Sequence, residues 1–427
     1  MRIFWFIIYN VLLIPVLWIF FRIYSLFNSK VRQGLKGRRD LFTQLDKSLS
    51  HFGKSGKKTV LIHSSSLGEY QQAIPLIEEL EMKGYNIVVS FFSPSGYVNS
   101  KLLHDNIVKT YLPFDSVWKM KRFIQMGDFD TIIFMRYDLW YNMLYEAKKK
   151  GIRMIVANAR FDEKNIFWTV PVLNSFKKTL YNMIDKVFVI SGEDERNYRK
   201  FLNTERTEIV KVGDSKFERV YSAAGNIRRE DVIDYRITEG KKVFVIGSSW
   251  KEDEEILLPV INKILEYEKD LLTFLVPHEP KEKKIILIEK NIKAQYPNIS
   301  AIRFSNIGNY NGENMVIVDR MGILMNLYAH AYASYVGGGL KSGLHNILEP
   351  AIFNMPIFFG NRVKNSDEDT LLLQAGCAKV VDDQRGFYRN FRNILRDRGL
   401  RDTMGNSCKY VFESSLGTAK KIAENIS

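Results

Sequence analysis

Short apolar runs alternate with longer amphipathic stretches along most of the chain. Runs such as KTVLIH, YNIVVSFF and DTIIFM have the length and composition of strands, and EYQQAIPLIEELEMKG has the spacing of an amphipathic helix. Apolar strands that alternate with helices predict a parallel sheet covered on both faces. The pattern breaks near residue 215 and restarts at KKVFVIGSS. We therefore predict an α/β chain with two doubly wound, Rossmann-like domains, residues 26–214 and 215–427, which face a cleft.

The N-terminal segment has a different pattern, because the nineteen positions from Ile3 to Phe21 carry no charge. At about 1.5 Å per residue, a helix of that length spans roughly the 30 Å hydrocarbon layer of a membrane. Basic residues between Lys30 and Arg39 outweigh the single charge in front. Because basic flanks tend to stay in the cytoplasm, residues 1–25 are predicted to be a single-pass anchor with cytoplasmic domains behind it. A cleaved signal peptide is the alternative, which the aromatic bulk and the missing small-residue cleavage site disfavour.

Positive charge is concentrated directly behind the apolar segment. The 427-residue chain has a formal net charge of +14, and ten Lys or Arg stand against two acids between Arg22 and Lys58. This segment either contacts anionic lipid or forms a solvated linker. Only two cysteines are present, and no Cys/His cluster has ligand spacing, so a disulfide framework and a structural zinc site are both disfavoured. Complete P-loop, HExxH and GxSxG motifs are absent, as is a GxGxxG with its downstream acid after the first strand.

Ligand groups of a doubly wound domain come from the loops that follow its strands. In the first series these loops hold Glu69, Arg136, Asp138 and Lys216. Glu69 completes the pattern S-x-x-E with Ser66, so it is either half of a helix-capping box or a general base whose charge the helix dipole stabilises. Arg136 and Asp138 form an ion pair or a helix start, or they contact a ligand. Lys216 is a surface lysine or a cation that meets a negative leaving group.

In the second series, the candidates are His278 and the loop GGGLKSGLHNILE, Gly337 to Glu349. Three glycines allow close backbone approach, and a helix that begins near Asn346 would offer free amides to a phosphate. Glu349 could accept hydrogen bonds from two ribose hydroxyls. The alternatives are a flexible connection with an ordinary capped helix, and a rigid turn at His278. Trp250 is expected to be a packing residue.

Several of these stretches together resemble one family, the transferases that attach Kdo, the eight-carbon acidic sugar of lipopolysaccharide, to a lipid A precursor. The family's S-x-G-E, YLPYD, NARLS, GNLKFD and D-x-MGEL are matched in order by SLGE, YLPFD, NARFD, GDSKFE and DRMGIL. Its most distinctive pattern, HN-x-LEPA, is present as HNILEPA from His345 to Ala351. Single motifs are weak evidence, but the ordered set covers essentially the whole chain.

The resemblance implies a GT-B glycosyltransferase that moves Kdo from CMP-Kdo to the lipid A precursor lipid IVA, inverts the anomeric centre and needs neither a metal nor another cofactor. It implies that Glu69 is the base for the acceptor hydroxyl and that Lys216 stabilises the transition state. The residues that it implies for contact with CMP are Pro277, His278, Met321, Gly322, Ile323, Asn346, Ile347, Leu348 and Glu349. The expected partners are CMP-Kdo, the lipid acceptor and anionic lipids of the cell inner membrane; no nucleic acid partner is expected.

The sequence departs from the family pattern at several positions. The family's METELW is MRYDLW here, so Arg136 replaces a carboxylate that is assigned a transition-state role, and Asp138 shortens the second carboxylate. Arg136 could instead bind the donor carboxylate or the leaving phosphate. The basic residue of the family's PRHPE is missing between Pro277 and His278, and Ile323 replaces the Glu of MGEL. Two alternatives therefore stay open: a GT-B transferase that uses a UDP-sugar on another membrane lipid, and a membrane-tethered nucleotide-binding module that has lost activity.

Overall fold

The chain divides into two compact units, each built around its own parallel sheet. The computed structural model describes residues 2–50, 52, 56–102, 104, 107–163, 165–228, 232–341, 343–361 and 367–426. The first unit comprises Met1–Arg219 and Leu416–Ser427, and the second comprises Val220–Ser415.

The sheet of the first unit has seven strands: β1 Thr59–Ser64, β2 Asn86–Phe91, β3 Ile107–Tyr111, β4 Thr131–Met135, β5 Arg153–Ala159, β6 Lys186–Val189 and β7 Glu208–Lys211. Their order is β3-β2-β1-β4-β5-β6-β7, and all neighbours are parallel. Leu61 of β1 packs into one apolar cluster, and its neighbours Val60 and Ile62 pack into another. Because both faces of the strand are buried in this way, the sequence shows it as a continuous apolar run.

Helices of the first unit precede, connect and follow these strands. They are Arg2–Ile8, the π-helical turn Tyr9–Leu13, Ile14–Phe27, Ser29–Gly37, Leu41–Leu49, Leu67–Met82, Pro94–Asn99, Val117–Gly127, Tyr141–Lys149, Ile166–Thr169, Pro171–Tyr181, Gly192–Phe201, Ser215–Gly225 and Thr418–Glu424. The helix Ser215–Gly225 continues into the second unit.

The sheet of the second unit also has seven strands: β8 Lys242–Ser249, β9 Leu271–Pro277, β10 Ala301–Arg303, β11 Met315–Ile317, β12 Ala333–Val336, β13 Ile357–Gly360 and β14 Ala378–Val381. Their order is β10-β11-β9-β8-β12-β13-β14, again with parallel neighbours. The helices are Tyr235–Thr238, Lys251–Ile264, Glu282–Gln295, the 3₁₀ helix Phe304–Asn309, Leu324–Tyr328, Leu348–Ala351, Asp367–Gln374, Gln384–Arg396 and Arg398–Ser415. Phe244 and Val245, neighbours on β8, pack into separate apolar clusters.

The predicted α/β class with two doubly wound sheets is confirmed. In each sheet the strand order reverses beside the first strand, between β1 and β4 in one unit and between β8 and β12 in the other. Ligands of such sheets bind outside the carboxyl ends of the strands at this switch point. The candidate site residues therefore have to be sought after β1, β4, β8 and β12.

The last helix, Thr418–Glu424, belongs to the first unit, although the strand pattern grouped residues 215–427 together. Glu218 holds it there, because its two carboxylate oxygens accept the backbone N–H groups of Gly417 and Ala419 at 2.7 and 2.9 Å. Lys83 adds a hydrogen bond from its Nζ to the carbonyl of Ala423 at 2.9 Å. A pattern of strands cannot indicate that the end of the chain returns to the first unit, because the last helix adds no strand to either sheet.

The N-terminal apolar segment is helical from Arg2 to Phe27, and it is the one helix of the described chain that is long and apolar enough to cross a membrane. One side of it packs on the first unit. Tyr9 donates from its hydroxyl to Asp115 Oδ2 at 2.8 Å, and Asn10 donates to Asn142 Oδ1 at 3.0 Å. Nearer the C-terminal end of the helix, Phe21 lies 5.8 Å from Phe92 between ring centroids.

The opposite side of this helix is exposed and apolar; its residues include Ile3, Phe4, Ile7, Val11, Leu12, Val16, Ile19, Phe20, Ile23 and Phe27. The helix formed by the uncharged run therefore has one side that packs on the rest of the first unit and an opposite side that is exposed and apolar. The polar atoms of its buried side are satisfied by the first unit, as buried polar groups require.

Candidate active site

The loop after β1 leads into the helix Leu67–Met82, and Glu69 lies in the first turn of that helix. Ser66 caps the helix, because its Oγ accepts the backbone N–H of Glu69 at 3.5 Å. The carboxylate does not return to the N–H of Ser66, as it would in a capping box, because its Oε2 accepts the N–H of Ser65 at 2.5 Å. Its Oε1 has no hydrogen bond to the residues that the structure describes. The half-buried carboxylate is thus fixed through one oxygen and can accept a proton on the other.

Gln72 lies one turn after Glu69 on the same helix and connects three parts of the first unit. Its side-chain Oε1 accepts from Nε of Arg136, which follows β4, at 3.1 Å. Its backbone oxygen accepts from Oγ of Ser215 at 2.6 Å. Ser215 is the first residue of the helix Ser215–Gly225, which carries Lys216 and lies far from Gln72 along the chain. The structure therefore joins the segments that carry the three predicted catalytic residues through one nine-tenths-buried glutamine.

Two residues at this edge of the sheet have an unusual backbone. Arg136 has φ = 66° and Asn158, at the end of β5, has φ = 55°. The left-handed region is uncommon for residues with a Cβ, and it recurs at functional sites where the surroundings hold the chain in place. Asn158 donates from Nδ2 to Ser215 Oγ, and Asp214 Oδ1 accepts the backbone N–H of Lys216 at 2.9 Å. The start of the helix that carries Lys216 is thereby held from both sides.

Asp138, the acidic candidate of the loop after β4, is held by a buried histidine. His63 at the end of β1 has no exposed surface, and its Nε2 lies 3.0 Å from Asp138 Oδ2. Its Nδ1 lies 2.9 Å from Ser90 Oγ on the neighbouring strand β2. Because an ionised carboxylate only accepts hydrogen bonds, the Nε2 proton points at Asp138. Asp138 therefore faces His63, and Arg136 two residues earlier is turned to Gln72.

In the second unit, three aromatic rings stack where β8, β9 and β12 end. The ring of His278 lies 4.7 Å from that of Trp250 and 4.4 Å from that of His345 between centroids. Trp250 Nε1 donates to His345 Nε2 at 3.1 Å. Burial lowers the pKa of His345, and the nearby His278 lowers it further. His345 is therefore a neutral ring whose proton is on Nδ1. Trp250, which was expected only to pack, is part of the candidate site as well.

Asp253 holds two of these loops together. It has no exposed surface, and its Oδ2 accepts the backbone N–H groups of Trp250 and Gly338 at 2.9 and 3.1 Å. Its Oδ1 accepts the hydroxyl of Tyr335 at 2.7 Å. Burial raises the pKa of the Asp253 carboxyl. A Cβ on Gly337 would lie 2.2 Å from the carbonyl oxygen of Ser248, so glycine is required there for the two loops to meet.

The remaining predicted nucleotide contacts lie on the same edge of this sheet. Asn346 donates from Nδ2 to Glu349 Oε1 at 2.9 Å, just before the helix Leu348–Ala351, which is one turn long and starts two residues later than predicted. Ile347 is buried beside it. Met321 and Gly322 follow β11, and Met321 is 77% exposed. Ile323 is buried in the core, so it offers a ligand its backbone alone.

The sequence pattern indicated the loops but not their internal contacts. Gln72 and Asp253 were not predicted as site residues, and Trp250 was expected only to pack, because each acts through a partner from another strand or helix. The one local signal was the position of Gln72, three residues after Glu69 and hence on the same side of the helix. In the described residues, no group of three or more His, Cys, Asp or Glu side chains is placed to hold a metal ion.

Comparison with known sequences finds a matching family model and a set of distant relatives. The family described as 3-Deoxy-D-manno-octulosonic-acid transferase (kdotransferase) matches residues 38–219. A bifunctional glycosyltransferase/methyltransferase of Fusobacterium nucleatum is 28% identical over 320 residues, 72% of this chain and 48% of that relative, so this chain spans about half the length of that protein. A 3-deoxy-D-manno-octulosonic acid transferase of Rickettsia prowazekii is 27% identical over 375 residues, 86% of this chain and 78% of the relative.

Comparison with solved structures supports the fold. The structure of UDP-GlcNAc 2-epimerase from Neisseria meningitidis bound to UDP-GlcNAc matches with a TM-score of 0.61 at 12% identity, over 86% of this chain and 99% of that chain. The comparisons and the two sheets together confirm two of the predictions, a GT-B-type pair of Rossmann-like domains and the resemblance to Kdo transferases.

Proposed function

We propose, from the Kdo transferase family domain in residues 38–219, that this protein is a glycosyltransferase that moves Kdo from CMP-Kdo to a lipid A precursor in lipopolysaccharide biosynthesis. The observation that carries the proposal is the Glu69 carboxylate, which lies after the first strand in the family's S-x-G-E position and is fixed through Oε2 alone. Lipid IVA is the proposed acceptor.

Glu69 is proposed to act as the general base. Its Oε1 takes the proton of the acceptor hydroxyl while the hydroxyl oxygen forms a bond to the anomeric carbon of Kdo. The bond from that carbon to the phosphate oxygen of CMP breaks on the opposite face of the sugar, and its electron pair leaves with CMP. The configuration is therefore inverted, and the proton stays on Glu69. Lys216 is proposed to stabilise the negative charge that develops on the leaving phosphate.

The second unit is proposed to bind the donor nucleotide. The stack of Trp250, His278 and His345 offers aromatic faces and a neutral imidazole, and the backbone of Ile323 offers hydrogen-bonding groups. Asn346 and Glu349 already bond to each other, so their side chains form one polar group that a ribose can contact. Pro277, Met321, Gly322, Ile347 and Leu348 complete the proposed contacts with CMP.

The N-terminal helix is proposed to hold the protein at the cytoplasmic face of the inner membrane. A single span was expected, but contacts from Tyr9 to Phe21 keep the helix against the first unit over most of its length. A helix docked in this way presents its exposed apolar side to lipid along the membrane surface, as amphipathic interfacial helices do. The contacts therefore favour attachment in the plane of the membrane over a span.

The transfer reaction itself is the first prediction. Full-length protein in detergent, incubated with CMP-Kdo and lipid IVA, is expected to give a product that is heavier by one Kdo residue or more, measured by mass spectrometry. Parallel incubations replace CMP-Kdo with UDP-sugars. Transfer from a UDP-sugar without transfer from CMP-Kdo would reject the Kdo assignment. No transfer from any donor, together with retained CMP binding, would indicate a nucleotide-binding module instead.

Arg136 is the site of the second prediction, because it replaces a carboxylate of the family. We expect Arg136→Met to raise the KM for CMP-Kdo roughly tenfold or more and to lower kcat less, because a charge-assisted hydrogen bond to an anion contributes about 1.5–3 kcal/mol. Steady-state kinetics with the donor concentration varied would measure this. Arg122→Met on the helix Val117–Gly127 is the matched control, since that arginine is exposed and contacts the ring of Phe42. An unchanged KM would contradict the binding role.

A further inference from the structure

Two adjoining cavities lie at the C-terminal end of the N-terminal helix, and the site described above uses neither. They share Phe21, Leu35, Arg38 and Phe114 in their linings. The larger, which we call the basic cavity, has a volume of about 620 Å³, and the smaller, the apolar cavity, has about 250 Å³. Both belong to the first unit.

Among the residues that the structure describes, the basic cavity is lined by six cationic side chains and by no carboxylate; the cations are Arg22, Arg32, Lys36, Arg38, Arg39 and Lys119. None of them forms an ion pair with a carboxylate of the described chain. Like charges that converge without a counter-ion repel one another, and a bound anion relieves that repulsion.

Arg38 shows the imbalance most clearly. Its guanidinium donates to the carbonyl oxygens of Leu112 and Gly34 at 2.8 and 2.9 Å and to that of Phe92 at 2.6 Å. Burial lowers its pKa to about 10. Three neutral carbonyls and two aromatic faces, Phe92 and Tyr111, surround this cation, and no carboxylate of the described residues pairs with it. It contributes positive potential at the boundary between the two cavities.

The apolar cavity lies on the side of this boundary that adjoins the loop between β1 and the helix of Glu69. Its lining includes Val31, Phe92, Ser93 and Pro94. The backbone N–H of Ser93 donates to the carbonyl of Ser65 at 2.8 Å. Ser65 in turn donates its N–H to Glu69 Oε2. The cavity lining is thus joined to the proposed base by two consecutive hydrogen bonds.

We propose that these two cavities bind the phosphorylated lipid acceptor, with a phosphate in the basic cavity and part of an acyl chain in the apolar cavity. The inference rests on the proposed function for the identity of the lipid. Arginine and lysine together suit a phosphate, and an apolar slot beside them suits a lipid rather than a soluble phosphate. The exposed apolar side of the N-terminal helix ends at Phe20, Ile23 and Phe27, so a lipid reaches the cavities from the membrane surface.

The test uses the double variant Lys36→Glu/Arg39→Glu, because both side chains are exposed and neither has a side-chain hydrogen bond to the described residues. Equilibrium binding of lipid IVA to full-length protein in detergent is expected to weaken at least tenfold, while CMP affinity stays unchanged. Lys47→Glu/Lys58→Glu is the matched control, with the same change of charge in the same basic segment outside both cavities. Val31→Trp, which fills the apolar cavity, is expected to weaken lipid binding without a change of charge.

Three outcomes would overturn the inference. Equal loss of binding in the control variant would mean that overall charge, and not the cavity, attracts the lipid. Equal affinity of the wild type for lipid IVA and its dephosphorylated form would exclude the phosphate contact. Competition by phosphatidylglycerol at equal concentration would make this a site for membrane phospholipid instead of acceptor. Because binding is measured without CMP-Kdo, a protein that binds lipid IVA but transfers no Kdo would reject the proposed function and leave the cavity assignment standing.

Discussion

Glu69→Gln is expected to lower kcat for Kdo transfer by about 10²–10⁴-fold, the usual contribution of a positioned general base. Glutamine keeps the length of the side chain and an oxygen that can accept the N–H of Ser65, so the loop after β1 keeps its geometry. It cannot accept a proton from the acceptor hydroxyl at neutral pH. The affinity for CMP is expected to stay the same, because the proposed nucleotide contacts all lie in the second unit. Rapid-quench kinetics and calorimetric titration with CMP would measure the two quantities separately.

Glu81→Gln provides the control for this variant. Glu81 lies at the other end of the helix Leu67–Met82 and pairs with the exposed His104 at 2.6 Å, so it tests the loss of one carboxylate from the same helix. Its activity is expected to remain within about twofold of the wild type, since an exposed pair of this kind contributes little to stability. Full activity of Glu69→Gln would show that Glu69 only completes the helix start and that the base lies elsewhere.

The fold was predictable because a strand that is buried on both faces of its sheet has a nearly continuous apolar sequence. All six residues of β1 are buried, and the run that contains them stands out as apolar. The same reasoning predicted at which edge of each sheet the candidate residues lie, because parallel strands end at one edge. Local spacing predicted the hydrogen bond from the N–H of Glu69 to Ser66, which is an i to i+3 contact. A capping box would also bring the Glu69 carboxylate back to the N–H of Ser66, but in the structure the carboxylate accepts the N–H of Ser65, one residue earlier.

Contacts between distant parts of the chain were not predictable in this way. Gln72 contacts Arg136 and Ser215, which are 64 and 143 residues away, and nothing in its neighbourhood in the sequence indicates either partner. The N-terminal helix presents the same difficulty. Asn10 stands in an uncharged run and was counted as part of a span, although its amide pairs with Asn142 in the first unit. Spacing describes which side chains share a face, but it does not identify what covers that face.

Asp253→Ala is expected to destabilise the second unit and to weaken CMP binding together. The substitution leaves the N–H groups of Trp250 and Gly338 and the hydroxyl of Tyr335 without their acceptor in a buried place. Each unsatisfied buried donor costs about 1–3 kcal/mol, so the loss of unfolding free energy should be on the order of 3 kcal/mol or more. At about 2–4 °C per kcal/mol for a unit of this size, the Tm should fall by roughly 10 °C.

CMP affinity should fall in the same variant at temperatures well below its Tm, because Asp253 holds Trp250 and the glycine loop before His345 in register with each other. Glu255→Ala is the matched control on the same helix, since that carboxylate is exposed and forms a 3.5 Å pair with Lys251. Calorimetric titration with CMP at low temperature separates the two effects, because a merely less stable protein binds CMP with unchanged affinity while it is folded. If the folded variant binds CMP as tightly as the wild type, Asp253 supports the fold but does not position the nucleotide loops.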